Sequence, residues 1–248
     1  MKLDFHGKTI LVTGATRGIG LQIANDLYEL GANLILTGTN PIEIAKLNEK
    51  YAKLLPTRKY FALNLLQNKS LDDFIEKLES VEIHGIVNNA GINRLNSIQQ
   101  AERDDWNDML SVNLTAPFRL IQSLSERMIK QKYGRIVNIA SIFSVISKER
   151  RSVYSATKFG LNGLTVGASN DLARFNVLCN TLSPGFVLTD LTRKNLSDKE
   201  MNDLEDIIPA KRLANVADIS NVALFLLSDL NNYLTGQNII VDGGFTNV

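Results

Sequence analysis

The chain has 248 residues, 44% of them hydrophobic and 21% charged, with 16 Gly and only 5 Pro, a composition that excludes disordered, collagen-like and linker-dominated proteins. Lysine plus arginine number 27 against 26 aspartates plus glutamates, a net charge of +1, so no global field argues for a nucleic-acid or membrane partner and any charged ligand must be met locally. At this length a sheet-based α/β protein is expected to form one domain over residues 1–248.

Short apolar runs rich in β-branched residues recur at Thr9 to Val12, Asn33 to Leu36, Lys59 to Leu63, Gly85 to Val87, Arg135 to Ile139, Asn176 to Leu182 and Asn238 to Val241. Most are continuous rather than alternating, as in strands buried on both faces. Helical stretches separate them: Ile19 to Leu30, Pro41 to Leu54, Leu71 to Glu79, Asp104 to Lys130, Tyr154 to Arg174 and Val216 to Ser228. Asn40 before Pro41, Ser70 before Leu71 and Asn215 before Val216 read as helix N-caps. The alternation predicts an α/β, Rossmann-like, doubly wound parallel sheet with helices on both faces. The polar segment from Thr189 to Pro209 breaks the rhythm and is expected to form a substrate lid.

The N-terminus lacks the apolar core of a secretory signal, and no run of about 18 apolar residues is present to span a bilayer, so a cytoplasmic protein is expected. The single Cys179, in the run Val177-Leu178-Cys179, reads as a buried structural thiol. With His6 and His84 the only histidines, no metal site is expected.

The first strand leads through Thr13-Gly14-Ala15-Thr16-Arg17-Gly18-Ile19-Gly20 directly into a helix. Glycines there permit a tight turn and close approach of a pyrophosphate, which the unpaired N–H groups and dipole of the helix N-terminus favour. The second strand ends in Thr37-Gly38-Thr39-Asn40, and the first acid beyond it is Glu43. An NAD site usually carries an acid at that end for the ribose 2′-hydroxyl. Its absence, with Arg17, Thr16 and Thr39 as donors, predicts NADP(H) in preference to NAD(H).

Tyr154 and Lys158 stand at i and i+4 on one helix face. An ammonium about 4 Å from a phenol, at an effective dielectric of about 20, is worth about 4 kcal/mol, or about three pKa units. A tyrosine so placed can exchange a proton with a carbonyl or alcohol oxygen. Ser141 follows the strand Arg135 to Ile139 at the sheet's carboxyl end, where open α/β folds bind ligands. Asn113 sits inside a predicted helix where Ala or Leu would be more favourable.

In this order and spacing, Thr13-Gly14-x3-Gly18-Ile19-Gly20, Asn88-Asn89-Ala90-Gly91, Asn113, Ser141, Tyr154-x3-Lys158 and Pro184-Gly185 resemble the short-chain dehydrogenase/reductase family along essentially the whole chain. The resemblance implies that Ser141 positions the substrate oxygen and Tyr154 is the general acid/base. It makes Lys158 the nicotinamide-ribose ligand that lowers the tyrosine pKa, and Asn113 the anchor of a proton-relay water. It assigns Asn64 and Leu65 to the adenine, Asn89, Ala90 and Gly91 to the cofactor lining, and Val187, beyond Pro184-Gly185, to the carboxamide, with Thr189 also on the cofactor.

Arg17, Thr39, Tyr133-Gly134-Arg135-Ile136, Thr235-Gly236-Gln237 and Val241-Asp242-Gly243-Gly244 resemble most closely the bacterial 3-oxoacyl-carrier-protein reductases. Of the basic positions such enzymes use for the acidic carrier, one falls on Lys132 and another on Phe175. The run Lys148-Glu149-Arg150-Arg151 replaces small, uncharged residues of those enzymes. Arg150 and Arg151 are therefore expected on the substrate rim, where they would suit an anionic sugar or nucleotide-linked ketone of surface-polysaccharide pathways. The resemblance also implies a homotetramer. A non-catalytic NADP(H) sensor is the remaining alternative, disfavoured by the presence of all four catalytic positions.

Overall fold

The computed structural model describes residues 3–189, 192 and 197–248. Seven strands form one sheet: β1 (Thr9–Val12), β2 (Asn33–Gly38), β3 (Arg58–Ala62), β4 (Gly85–Asn88), β5 (Gly134–Ile139), β6 (Val177–Pro184) and β7 (Asn238–Val241). They lie in the order β3-β2-β1-β4-β5-β6-β7, and every pairing is parallel. The helices are α1 (Gly18–Glu29), α2 (Pro41–Tyr51), α3 (Asn68–Lys77), α4 (Arg103–Leu110), α5 (Ala116–Lys130), α6 (Ser152–Leu172), α7 (Asp198–Ile207) and α8 (Val216–Leu227).

Strand alternation splits the apolar residues between two cores, because successive side chains point to opposite faces. Ile10 and Val12 of β1 join Leu34, Leu36, Val87, Val137 and Leu182 against Ile23 and Leu27 of α1 and Ile219 and Leu224 of α8. Leu11 faces the other way, with Ile35, Ile86, Ile136 and Cys179, against α3, α5 and Leu172 of α6. The sheet is thus covered on both sides, as the continuous apolar strands require. Cys179 is fully buried, and burial pushes its thiol up to about 12.

Two predicted helices differ from expectation. The third begins at Asn68 rather than Leu71, because the Ser70 hydroxyl accepts the Asn64 N–H at 3.0 Å and so closes the preceding turn instead of capping the helix. The predicted helix Asp104 to Lys130 is divided by a π-helical segment at Ser111–Thr115, centred on Asn113. At the other two caps, Asn40 Oδ1 accepts from Ile42 and Glu43 N–H, whereas Asn215 meets Asp218 through its backbone N–H, which donates to the carboxylate at 2.7 Å. In the expected lid, α7 is capped by Ser197 and Glu200, while residues 190, 191 and 193–196 lie outside the described residues. The excursion starts and returns at paired backbone, where Leu188 N–H bonds to Ala214 O and Ala214 N–H to Phe186 O. Among the described residues no helix is long and apolar enough to cross a membrane.

Candidate active site

Chain order reverses between β1 and β4, which leave the centre of the sheet toward opposite sides and open a crevice at their carboxyl ends. Gly14 follows β1 with φ +64°, a left-handed conformation that glycine adopts without strain. A Cβ there would stand 3.0 Å from Ala90 Cα. At Gly20 the fit is tighter still, since a Cβ would come within 2.4 Å of Asn89 Nδ2 and 2.5 Å of Gly14 O. The loop is cross-tied by the Thr13 hydroxyl, which accepts the N–H groups of Asn89 and Ala90 at 3.0 Å each. Asn89 returns its amide to Thr13 O and Gly14 O.

This cradle fits a dinucleotide: glycines allow backbone approach, and α1 presents its N-terminus behind Arg17. Arg17 is exposed, and among the described residues no ion pair involves it. Thr16 packs its methyl at Gly38, where a Cβ would meet it at 2.5 Å, and Thr39 is exposed at the end of β2. Thr189 comes to the same place, its methyl 3.7 Å from where a Gly18 Cβ would be. Ile19 and Leu65 have their side chains against the two cores. Asn64 uses its side-chain oxygen on the Leu66 N–H at 3.1 Å, so only its amide side remains for a ligand. Gly185 is pressed against Asp242, where an added Cβ would lie only 2.7 Å from Asp242 Cβ, and follows Pro184, which pairs with Val241. The Val187 carbonyl is taken by the Thr192 hydroxyl at 2.7 Å.

Beyond the crevice, β5 delivers Ser141 and α6 delivers Tyr154 and Lys158. Ser141 has extended backbone and accepts the Phe143 N–H at 3.2 Å, and its side chain is near enough to the Tyr154 phenol to bear on its pKa. Burial pushes Tyr154 above the usual phenol value; the Ser141 side chain and the charge of Arg151 oppose that. Lys158 Nζ is 5.6 Å from the Tyr154 ring centroid and donates to Ile139 O at 2.9 Å. Lys158 is itself 3% exposed, and burial lowers its pKa to about 8. Gly91 brings the remaining groups together, since a Cβ there would lie 3.4 Å from Asn113 Oδ1 and 3.6 Å from Lys158 Nζ.

Asn113 is 1% exposed. Its oxygen accepts the Ile92 N–H and its amide donates to Ile92 O, both at 2.9 Å, with a further bond to Thr157 Oγ1 at 3.1 Å. The π-helical turn places this side chain so that it clamps the strand leaving β4 to α6. Of the cationic run, Arg150 donates to Leu95 O at 3.1 Å and Arg151 stacks 5.1 Å from the Phe143 ring centroid.

A family profile described as "Enoyl-(Acyl carrier protein) reductase" matches residues 14–246. The chain is 38% identical to the 3-oxoacyl-[acyl-carrier-protein] reductase of Aquifex aeolicus, over 98% of this chain and 99% of that protein. It is 35% identical to the reductase of the same description in Escherichia coli K12, over 98% of each. The chain belongs to the short-chain dehydrogenase/reductase family. Among solved structures, gluconate 5-dehydrogenase from Burkholderia cenocepacia, in complex with NADP and tartrate, superposes with a TM-score of 0.92 at 31% identity, covering 99% of this chain and 98% of that one. A 3-oxoacyl (acyl-carrier-protein) reductase from Agrobacterium tumefaciens with NADP bound gives 0.90 at 31% identity, covering 97% and 95%. This short-chain dehydrogenase/reductase is therefore an NAD(P)-dependent oxidoreductase.

Sequence reasoning missed the groups that hold its site together. Asn88 donates to Asn138 at 2.8 Å, Asn138 to Thr165, and Thr181 to the same Thr165 hydroxyl, a buried polar chain tying β4, β5 and β6 to α6. Its one legible signal is an Asn in the middle of an apolar strand, where an amide must find partners. Thr157, which receives the Asn113 amide, carries no such signal.

Proposed function

We propose that this enzyme interconverts a ketone and a secondary alcohol with NADP(H), using Tyr154 as the general acid/base. The observation that carries this reading is the placement of Ser141, Tyr154 and Lys158 beside the dinucleotide cradle, with Lys158 Nζ and Asn113 Oδ1 both next to Gly91. Ser141 orients the substrate oxygen at the phenol, and in reduction the Tyr154 O–H proton passes to the carbonyl oxygen as that carbon gains the hydride. The nicotinamide supplies or accepts that hydride. Lys158 holds positive charge near the site and offers its remaining N–H donors toward Gly91 and the cofactor ribose. Asn113 fixes the strand that forms this wall, and the water relay through it follows from the family resemblance.

NADP(H) is supported by the acid-free end of β2 and by exposed Arg17 and Thr39, and it is the cofactor found in the two solved relatives. Two substrate classes have support. Full-length similarity to 3-oxoacyl-carrier-protein reductases favours a 3-oxoacyl thioester, and the Lys148–Arg151 rim favours an anionic sugar-type ketone. The enzyme works in the cytoplasm on a small or carrier-linked molecule. Apolar side chains left exposed on α4 to α6 and around β7 support a homotetramer.

The test is oxidation of NADPH, beside NADH, with acetoacetyl thioesters and a panel of keto acids and keto sugars, by the wild type and Tyr154→Phe. The variant is expected to lose turnover by about two to four orders of magnitude and to keep cofactor affinity. Turnover by Tyr154→Phe equal to wild type would remove Tyr154 from the chemistry.

A further inference from the structure

Ser141 stands between two ties to β6. Before it, Ala140 N–H donates to Leu182 O at 2.8 Å; after it, Ser144 N–H turns back to Ser141 O at 2.8 Å, and the Ser144 hydroxyl enters a ring of three side chains. Ser144 Oγ lies 2.9 Å from Ser183 Oγ, Ser183 Oγ donates to Asn238 Oδ1 at 2.6 Å, and Asn238 Nδ2 donates to Ser144 Oγ at 3.0 Å. With the Ser183 proton given to Asn238, Ser144 is the donor between the two hydroxyls. Each hydroxyl then gives one hydrogen bond and accepts one, all in the same sense around the ring.

Both serines are at most 1% exposed, where a hydroxyl is costly unless paired and alanine would carry no polar atom to satisfy. Stability alone gives little reason for the ring, because the desolvation of its groups offsets most of what their bonds contribute. Its placement gives a better one. Ser183 immediately precedes Pro184-Gly185, the start of the segment that the family resemblance assigns to the nicotinamide through Val187. Asn238 opens β7, whose Val241 O accepts the Gly185 N–H at 2.9 Å. At the other end of the turn after Ser141, Ser147 Oγ bonds to Ser155 Oγ at 2.8 Å, next to Tyr154. The turn is therefore pinned to α6 at Ser147 and to β6 and β7 at Ser144, and it cannot shift toward either without breaking a bond.

We propose that Ser144, Ser183 and Asn238 are positioning residues that set the distance between a substrate oxygen held at Ser141 and the nicotinamide bound along residues 184–187. The inference rests on the reading of Ser141 and Tyr154 in the proposed reaction and adds what fixes their register with the cofactor. The three side chains bond to one another, so removing one displaces reacting groups without deleting any. A misplacement of about 1 Å costs about a hundredfold in rate.

The test is Ser183→Ala. In the NADPH-saturated protein, amide hydrogen exchange read by mass spectrometry is expected to rise at least about fivefold over residues 141–147, a segment that the substitution does not touch in the chain. With the best ketone of the panel, kcat should fall about ten- to hundredfold while the NADPH Kd and the ketone KM stay within about twofold. Ser144→Ala combined with Ser183→Ala removes both sealed hydroxyls and leaves the part-exposed Asn238 amide free to hydrate. That double variant should regain much of the melting temperature lost by Ser183→Ala yet keep its low kcat. A kcat that returns with stability, wild-type exchange over 141–147 in Ser183→Ala, or wild-type kcat in that variant overturns the proposal. Tyr154→Phe separates it from the reading beneath, since that variant should lose turnover with wild-type exchange over 141–147. If wild type turns over no ketone of the panel, it is the reading of Tyr154 that fails, and the exchange result alone decides whether the ring joins the two segments.

Discussion

Lys158 is found from its spacing, while its surroundings come from packing between distant parts of the chain. The i, i+4 separation from Tyr154 places both on one helix face, the ammonium donates to Ile139 O, and burial lowers its pKa to about 8. The folded pKa lies below the ordinary lysine value of 10.5, so between pH of about 8 and 10.5 the unfolded chain binds the extra proton. Stability from this residue is therefore fully present above the unfolded value and is lost as pH falls through about 8. Denaturant unfolding of the cofactor-free protein from pH 7 to 10.5 should show that upward slope, and Lys158→Met should flatten it; a slope unchanged in the variant assigns it to other groups. The Tyr154 phenol was legible as a candidate because the motif around it is specific. The direction of its shift was not, because desolvation depends on which side chains of other elements close over it.

At the scale of elements, the strand-to-helix turn into α1 carries the strongest agreement between sequence and structure. Glycine spacing at the first strand-to-helix turn predicts a phosphate loop, and the close approach of Gly20 to Gly14 O and to the Asn89 amide supplies a reason for that spacing. Gly20→Ala must displace either backbone or the Asn89 amide that ties β1 to β4, and the expected result is at least about tenfold weaker NADPH binding by fluorescence titration. Wild-type affinity in that variant would mean that the loop has slack the structure does not show. The helix Asp104 to Lys130 is the counter-example. Its apolar period reads straight through Asn113, and the π-helical segment forms because the Asn113 side chain is committed to both backbone groups of Ile92, a partner 21 residues away that no local pattern reveals.

For the whole molecule, parallel topology leaves faces that one copy does not cover. Trp106, Phe118, Phe159 and Val166 on α4 to α6 are between 43% and 46% exposed, and Tyr233, Ile240 and Val248 around β7 are between 38% and 93% exposed. Burying apolar side chains of this size contributes about 1.5 to 3 kcal/mol each, and β7 is a sheet edge that calls for a cover. The expected species is a tetramer by light scattering, with Phe118→Glu and Phe159→Glu together reducing it to dimers or monomers. A monomeric wild type at micromolar concentration would exclude the assembly.

The residues by themselves determined the architecture and named the candidates for the site, because strands buried on both faces must be continuously apolar, tight turns need glycine and a family's reacting groups keep their spacing. Tertiary structure alone decided how those members act on one another. It turned Lys158 toward Ile139, gave Asn113 to Ile92 and spent Arg150 on Leu95. Each of these outcomes depends on a partner from a distant part of the chain and on how much water the packing excludes, and neither is encoded in local order.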